Sequence, residues 1–200
     1  MLLVVGLGNP GREYASHRHN VGFMTVDELC RKARADAFRE KFSGVYARAE
    51  LGDEPAILLK PMTYMNESGR SVQPAMAFFK VEPKDVIVIH DELDLPFGEV
   101  RLKFSGGHAG HNGLRSIVAS AGTADFGRVR IGISRPPPGF HGEVADYVLS
   151  NFDALERAAL PDILAKAADS VLDVARRGFA AAMKVRNTRP KKKSEPKEPS

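Results

Sequence analysis

The hydrophobic positions of this chain follow two periods that alternate from its first residues onward. "LLVVGL" (2–7) is an uninterrupted apolar run, as a strand shows when both of its faces are buried. Phe23, Val26, Leu29, Cys30, Ala33 and Ala37 then recur at helical spacing and predict a helix over roughly 20–36. "GVYARAEL" (44–51) and "PAILLK" (55–60), separated by "GDE", read as a hairpin. Glu67 to Phe79 predicts a helix with Val72, Ala75, Met76 and Phe79 on one side, and "DVIVIH" (85–90) a second buried strand. "GEVRLKF" (98–104) alternates, which puts Arg101 and Lys103 on one face of a strand. "NGLRSIVASA" (112–121) is helical and "GRVRIGIS" (127–134) is a strand. After the break "RPPPG" (135–139), residues 153–186 carry a helical pattern that Pro161 interrupts or restarts. Strands and helices alternate, with a hairpin inside and no internal repeat. The expected fold is therefore α/β: a single domain with a twisted mixed β-sheet sandwiched between α-helices.

Composition narrows the class. Apolar residues make up 43% and charged residues 27%, which suits a soluble globular domain. No apolar run approaches the ~20 residues that span a bilayer, and the N-terminus has neither the basic start nor the cleavage site of a signal peptide. Cys30 is the only cysteine, so there is no internal disulfide or zinc-binding cysteine cluster, and a reducing cytoplasm fits.

The pI of about 9.2 suggests a polyanion partner, but the charge is unevenly placed. Residues 184–200 hold seven of the 29 Lys/Arg and two of the 25 Asp/Glu, leaving 22 basic and 23 acidic residues in the body. From Thr188 onward only proline is apolar. Residues 1–187 are thus the expected folded domain and 188–200 a basic, disordered tail. Any nucleic-acid site in the body has to come from a local patch.

"VVGLGNPG" (4–11) spells G-x-G-x-x-G behind a strand. A dinucleotide turn would need a helix to open at once on the pyrophosphate, and an acid at the end of a second strand. Here Pro10 removes a donor, a polar loop follows, and Asp27 and Glu28 fall inside the helix. The glycines are instead expected to let the backbone turn and approach a ligand beside Asn9, Tyr14, His17 and His19.

Three other loops follow strands. "HDELDLP" brings Asp91 to the end of a buried strand, where a carboxylate can orient a histidine from a neighbouring loop; a turn or helix cap is the alternative role. "PMTYMNESG" carries Tyr64 and Asn66, and "SGGHAGHNG" carries His111 and Asn112. Asn9, Asn66 and Asn112 are carboxamides near strand ends, suited to substrate positioning or an oxyanion, with helix N-capping open for Asn66 and Asn112. A metal would draw on His19, Asp91, His108 and His111, a weak set among so many amides. No phosphate-loop lysine motif and no G-x-S-x-G elbow is present, and Cys30 lies on an apolar helix face. Arg101 with Lys103, and Arg128 with Arg130, are either solvated strand charges or a phosphate clamp.

Taken together and in order, "GLGNPGREYASHRHNVG", "KPMTYMNESG", "HDELDLPFG" and "GGHAGHNGLRS" resemble the bacterial-type peptidyl-tRNA hydrolases over most of residues 2–183. The resemblance implies a monomeric, cytoplasmic esterase without metal or cofactor. Its substrate would be peptidyl-tRNA, cleaved between the peptide and the terminal ribose so that tRNA from aborted translation is recycled. It implies His19 as general base with Asp91 in support, and Asn9 as the residue that tells N-blocked from free aminoacyl esters. Tyr14, Tyr64, Asn66 and Asn112 would line the site, and Lys103 and Arg130 would hold the tRNA 5′-phosphate. A binding-only RNA protein on the same fold is the alternative, and the presence of both His19 and Asp91 argues against it. Gly106, Gly107, Gly110 and "RPPPGFHGE" are candidate mobile parts.

Overall fold

The structure, a computed structural model, describes residues 1–188. Seven strands, β1 (Leu2–Gly6), β2 (Arg39–Lys41), β3 (Gly44–Leu51), β4 (Glu54–Pro61), β5 (Val86–Glu92), β6 (Val100–Phe104) and β7 (Gly127–Gly132), form one sheet in the order β2-β3-β4-β1-β5-β7-β6. The central four are parallel. The flanking β3 and β6 pair antiparallel to them, and β2 adds antiparallel to β3. Helices α1 (Val21–Ala33), α4 (Val144–Val148), α5 (Ala154–Arg177) and α6 (Phe179–Arg186) contribute to one layer, and α2 (Gly69–Phe79) and α3 (Asn112–Ala121) to the other.

The continuous apolar runs follow from this layering. Val4, Leu58, Ile87 and Ile89 pack with Val26 and Leu29 of α1 and Ala167 and Val171 of α5. Their strand neighbours Leu3, Val5, Leu59 and Val88 point the other way, onto Val72 and Ala75 of α2 and Leu114 and Ile117 of α3. The α/β sandwich expected from the alternation is the one found.

Several details differ. The glycines of the first loop serve mainly the protein itself. A Cβ on Gly6 would lie 2.3 Å from the Gly22 carbonyl oxygen, and one on Gly22 would lie 2.4 Å from that of Ile89. Here α1 and the sheet touch backbone to backbone. A Cβ on Gly8 would strike the Phe23 ring, so only Gly11, at φ 114°, serves the turn itself. This approach brings the 3-10 turn before α1, Arg18–Asn20, onto the C-terminal end of the sheet.

Pro161 neither ends nor restarts the helix that holds it. α5 runs through it to Arg177, and the break comes at Gly178, φ 80°. A proline inside a helix costs roughly 3 kcal/mol, whereas each fully buried aliphatic side chain contributes about 1.5–3 kcal/mol. Ile163, Val171 and Val174 are buried along this helix, which is enough to carry it across. The pattern also missed β2 and α4, elements of three and five residues that are too short to show a period.

At the far edge of the sheet Asn187 imitates a strand. Its Oδ1 accepts from the Leu102 N–H at 2.9 Å, and its Nδ2 donates to the Leu102 carbonyl at 2.7 Å. Apart from Thr188, the tail expected to be disordered lies outside the described residues.

Candidate active site

A cleft of about 770 Å³ opens where β1, β4 and β5 end, the usual place for a site in such sheets. Asn9, Tyr14, His19, Tyr64, Asn66, Asp91 and Asn112 all line it, with His111 among them. Val144, Ala145, Val148 and Leu149, on and just after α4, supply an apolar wall.

Asp91 lies on β5, one residue further into the strand than the sequence pattern reached, and is 3% exposed. Its two oxygens are each met by an imidazole: His19 Nδ1 at 2.9 Å on Oδ2 and His111 Nε2 at 2.8 Å on Oδ1. Burial alone would raise the Asp91 carboxyl. The charges and hydrogen bonds of His19 and His111 hold it far below the ordinary carboxylate range instead. An ionised carboxylate only accepts, so both rings donate to it.

The tautomers follow. His111 Nδ1 accepts from the N–H groups of Gly113 and Leu114, which puts its proton on Nε2, toward Asp91. His19 uses its Nδ1–H on Asp91, so its Nε2 is the lone pair left on a ring that lines the cleft. Burial pushes the His19 imidazolium down, but the charge of Asp91 and the hydrogen bond to it outweigh burial and raise its pKa above the usual histidine value. His90, behind them, donates from Nδ1 to the Asp91 carbonyl at 2.7 Å; burial, reinforced by His111, lowers its pKa to about 3.

His111 is the residue that sequence reasoning placed only in a weak metal set. The detectable signal was its position one residue before a predicted helix. It N-caps α3 with its ring, a role that had been left open for Asn112. Asn112 is the first helical residue, and Asn66 sits in the 3-10 turn Met65–Glu67 without capping α2. His19, Asp91 and His111 bring donor atoms within 4.8 Å of one another. His108 is not in that group; its Nδ1 accepts from the Gly110 N–H.

Asn9 is held from three sides. Its backbone N–H donates to Asn20 Oδ1 and its carbonyl accepts from Asn20 Nδ2, both at 2.9 Å. Its side-chain Oδ1 accepts from the Met65 N–H at 2.7 Å. With the oxygen occupied, Asn9 offers the cleft its Nδ2–H donors. Asn112 is similar, since its Oδ1 accepts from Arg115. Tyr14 ends the 3-10 turn Arg12–Tyr14 with its ring edge-on to His17, and Tyr64 stands 59% exposed at the mouth.

The register of β6 on β7 sets Arg101 opposite Arg130 and Lys103 opposite Arg128, gathering all four cations. Lys103, Arg128 and Arg130 line a second cavity of about 200 Å³, which shares Glu92, Asp94 and Ala109 with the main cleft. Arg101 pairs with Glu99, and Arg130 with Glu92 at 2.6 Å. Arg128 is buried and donates to the Gly106 and Gly107 carbonyls. Lys103 makes no ion pair among the described residues.

Fold and cleft together define a single-domain α/β protein whose cleft, at the C-terminal end of the sheet, holds an imidazole on a buried carboxylate. A family model described as peptidyl-tRNA hydrolase matches residues 3–196, and the chain belongs to that family. The peptidyl-tRNA hydrolase of Sorangium cellulosum is 75% identical over 191 residues, covering 96% of this chain and 86% of its own. That of Geotalea daltonii is 49% identical, covering 94% and 96%. The crystal structure of peptidyl-tRNA hydrolase from Acinetobacter baumannii superposes with a TM-score of 0.85 at 39% identity, covering 94% of this chain and 95% of that one.

Proposed function

We propose that this protein hydrolyses the ester of peptidyl-tRNA, with His19 as general base and Asp91 as its support, releasing tRNA and peptide. One observation carries the reading of the roles: His19 gives Nδ1–H to a buried carboxylate and keeps Nε2 for the cleft. Water placed between Nε2 and the ester carbonyl loses a proton to Nε2 as its oxygen attacks. The imidazolium so formed is stabilised by Asp91, and its proton then passes to the departing ribose oxygen. The Nδ2–H groups of Asn9 and Asn112, and the amide of Asn66, are available to the developing oxyanion and the peptide carbonyls.

Selectivity follows from the orientation of Asn9. With Oδ1 directed at the Met65 N–H, the side chain turns its Nδ2–H donors to the cleft. An acyl carbonyl accepts from them. A free ammonium would meet N–H groups and be desolvated without a counter-charge, which is costly. Tyr14 and Tyr64 flank the path of the peptide and the 3′ end. Lys103 and Arg130 hold the 5′-phosphate, Lys103 leading because Arg130 is shared with Glu92. Residues 1–187 suffice for the chemistry, and the tail beyond them is dispensable for it.

The same reading has the protein act as a cytoplasmic monomer without metal or cofactor. In its favour, no helix among the described residues is long and apolar enough to cross a membrane, and both Asp91 oxygens are satisfied by ring N–H groups. The test compares N-acetyl-aminoacyl-tRNA with aminoacyl-tRNA, each with and without EDTA. The expected result is rapid, EDTA-insensitive release from the blocked ester alone. Loss of activity in EDTA would move the chemistry to a metal on His19, Asp91 and His111. Cleavage of neither ester would leave the binding-only reading.

A further inference from the structure

The turn Arg18–Asn20 sends its three side chains to three different elements. His19 goes to Asp91 on β5. Arg18 points away from the cleft, into the joint between α4 and α5, and its side chain is 9% exposed. There it donates to Ser150 Oγ at 2.6 Å, to the Asn151 carbonyl and to the Glu156 carboxylate at 2.6 Å, and it stacks 4.5 Å from the Tyr147 ring centroid. The backbone repeats the tie, with Arg18 N–H donating to the Ser150 carbonyl and His17 bridging to Asn151. Asn20, buried, brackets the backbone of Asn9 on both sides.

Neither Arg18 nor Asn20 lines the cleft. Burying a guanidinium is expensive unless its bonds are well made, and these bonds all go to one joint. That joint also carries the cleft wall: Tyr147, under the guanidinium, lies between Ala145 and Val148, which face the cleft. The wall that seats the substrate and the turn that bears the base therefore share one anchor.

We propose that Arg18 and Asn20 are positioning residues, Arg18 seating His19 on Asp91 and Asn20 aiming the amide of Asn9. The proposal rests on the roles given above to His19 and Asn9. Misplacing a reacting group by an ångström is enough to cost about 100-fold in rate, so a remote anchor matters. The two residues act on different groups, so their effects separate. The titratable groups around His19 are Asp91 from β5, His111 from the head of α3 and His17 on its own loop. At the Arg18 end the charged groups are Glu156, bonded to the guanidinium, and Asp153, which caps α5 and bonds the Glu156 N–H, with the neutral Tyr147 ring of α4 against the guanidinium.

The experiment measures kcat and KM on N-acetyl-aminoacyl-tRNA, the pH profile of kcat/KM and the blocked-to-free ratio, for Arg18→Lys and Asn20→Ala, with thermal unfolding as a check on folding. Arg18→Lys keeps the charge but loses the fork that reaches three acceptors. It should lower kcat about 10- to 100-fold. It should also move the ascending limb of kcat/KM to lower pH, because His19 loses its hold on Asp91 while staying buried. The blocked-to-free ratio should survive. Asn20→Ala should shrink that ratio about 10-fold, the loss expected when one oriented hydrogen bond goes astray, and leave the limb in place. If Arg18→Lys does not fold, Glu156→Gln takes its place and should move the same limb less far.

A folded Arg18 or Glu156 variant with an unmoved limb and kcat overturns the proposal. So do Arg18→Lys and Asn20→Ala if each loses rate and selectivity in proportion, as general loosening would give. His19→Ala runs in parallel. Turnover surviving there overturns the reading of His19 and this proposal with it. Turnover lost there but intact in Arg18→Lys overturns the proposal alone.

Discussion

The main cleft and the basic cavity adjoin each other and share residues, yet they are built on opposite principles. In the cleft the central polar groups are fixed by directional hydrogen bonds: Asp91 by two imidazoles, His111 by two backbone N–H groups, Asn9 by Met65 and Asn20. In the basic cavity the cations share a face through strand register; Arg130 is paired with Glu92, Arg128 is turned onto the Gly106 and Gly107 carbonyls, and Lys103 makes no ion pair among the described residues. Proton transfer needs a defined nitrogen at a defined angle, whereas a phosphate needs only positive potential with some shape. The cleft should therefore fail abruptly when one atom changes, and the cavity gradually.

The largest break is expected at His19. His19→Ala should lower kcat about 10²–10⁴-fold with KM nearly kept, the usual contribution of a general base. Stopped-time assays of N-acetyl-aminoacyl-tRNA release would check it, and near-normal turnover would remove His19 from the chemistry.

Asp91→Asn should cost almost as much. The new amide can accept from one ring but sets an N–H group against the other, so one histidine must turn or change tautomer. The pH profile gives the sign. His19 has a raised pKa because of Asp91, so kcat/KM of the intact enzyme should climb through a limb above the ordinary ~6.5. Without the carboxylate only burial remains, and the limb should move to lower pH. The double variant should be far from additive with His19→Ala. A limb that stays put would make Asp91 a turn cap only.

Asn9→Asp tests orientation against charge inside the cleft. One carboxylate oxygen can keep the Met65 N–H, and the other offers a free ammonium a partner. The ratio of blocked to free ester cleavage should fall by roughly 10-fold, about the worth of one charged hydrogen bond. An unchanged ratio would place selectivity elsewhere.

In the basic cavity Lys103→Ala should raise KM for intact tRNA substrates several-fold and reduce the slope of log KM against log salt by about one. It should leave a small N-blocked ester untouched. Arg130→Ala should raise KM at least as much, because it also releases Glu92 as an unpaired acid that repels the phosphate. Equal losses on both substrates would show that these residues support the cleft and do not bind phosphate.

The smallest effects belong to the C-terminal end. Truncation after Asn187 should keep kcat. Asn187→Ala should lower Tm by a few degrees, since its two bonds to Leu102 are together worth about 1–3 kcal/mol.

The alternation of apolar runs with helical patterns was sufficient for the layer architecture, because buried parallel strands must be apolar on both faces, as Leu3, Val4 and Val5 are. Strand ends likewise marked the loops bearing His19, Asp91, Asn66 and Asn112, since side chains at those ends project from rigid elements into one region. Local pattern could not say that Gly6 and Gly22 meet across elements, that α5 would pass through Pro161, or that two histidines would share Asp91. Nor could it say that Arg18 would be buried against Glu156, far along the chain. Periodicity and capping are properties of neighbouring residues. Which carboxylate meets which ring, and which cation is already spent, depends on sheet order and register, and only the tertiary structure sets those.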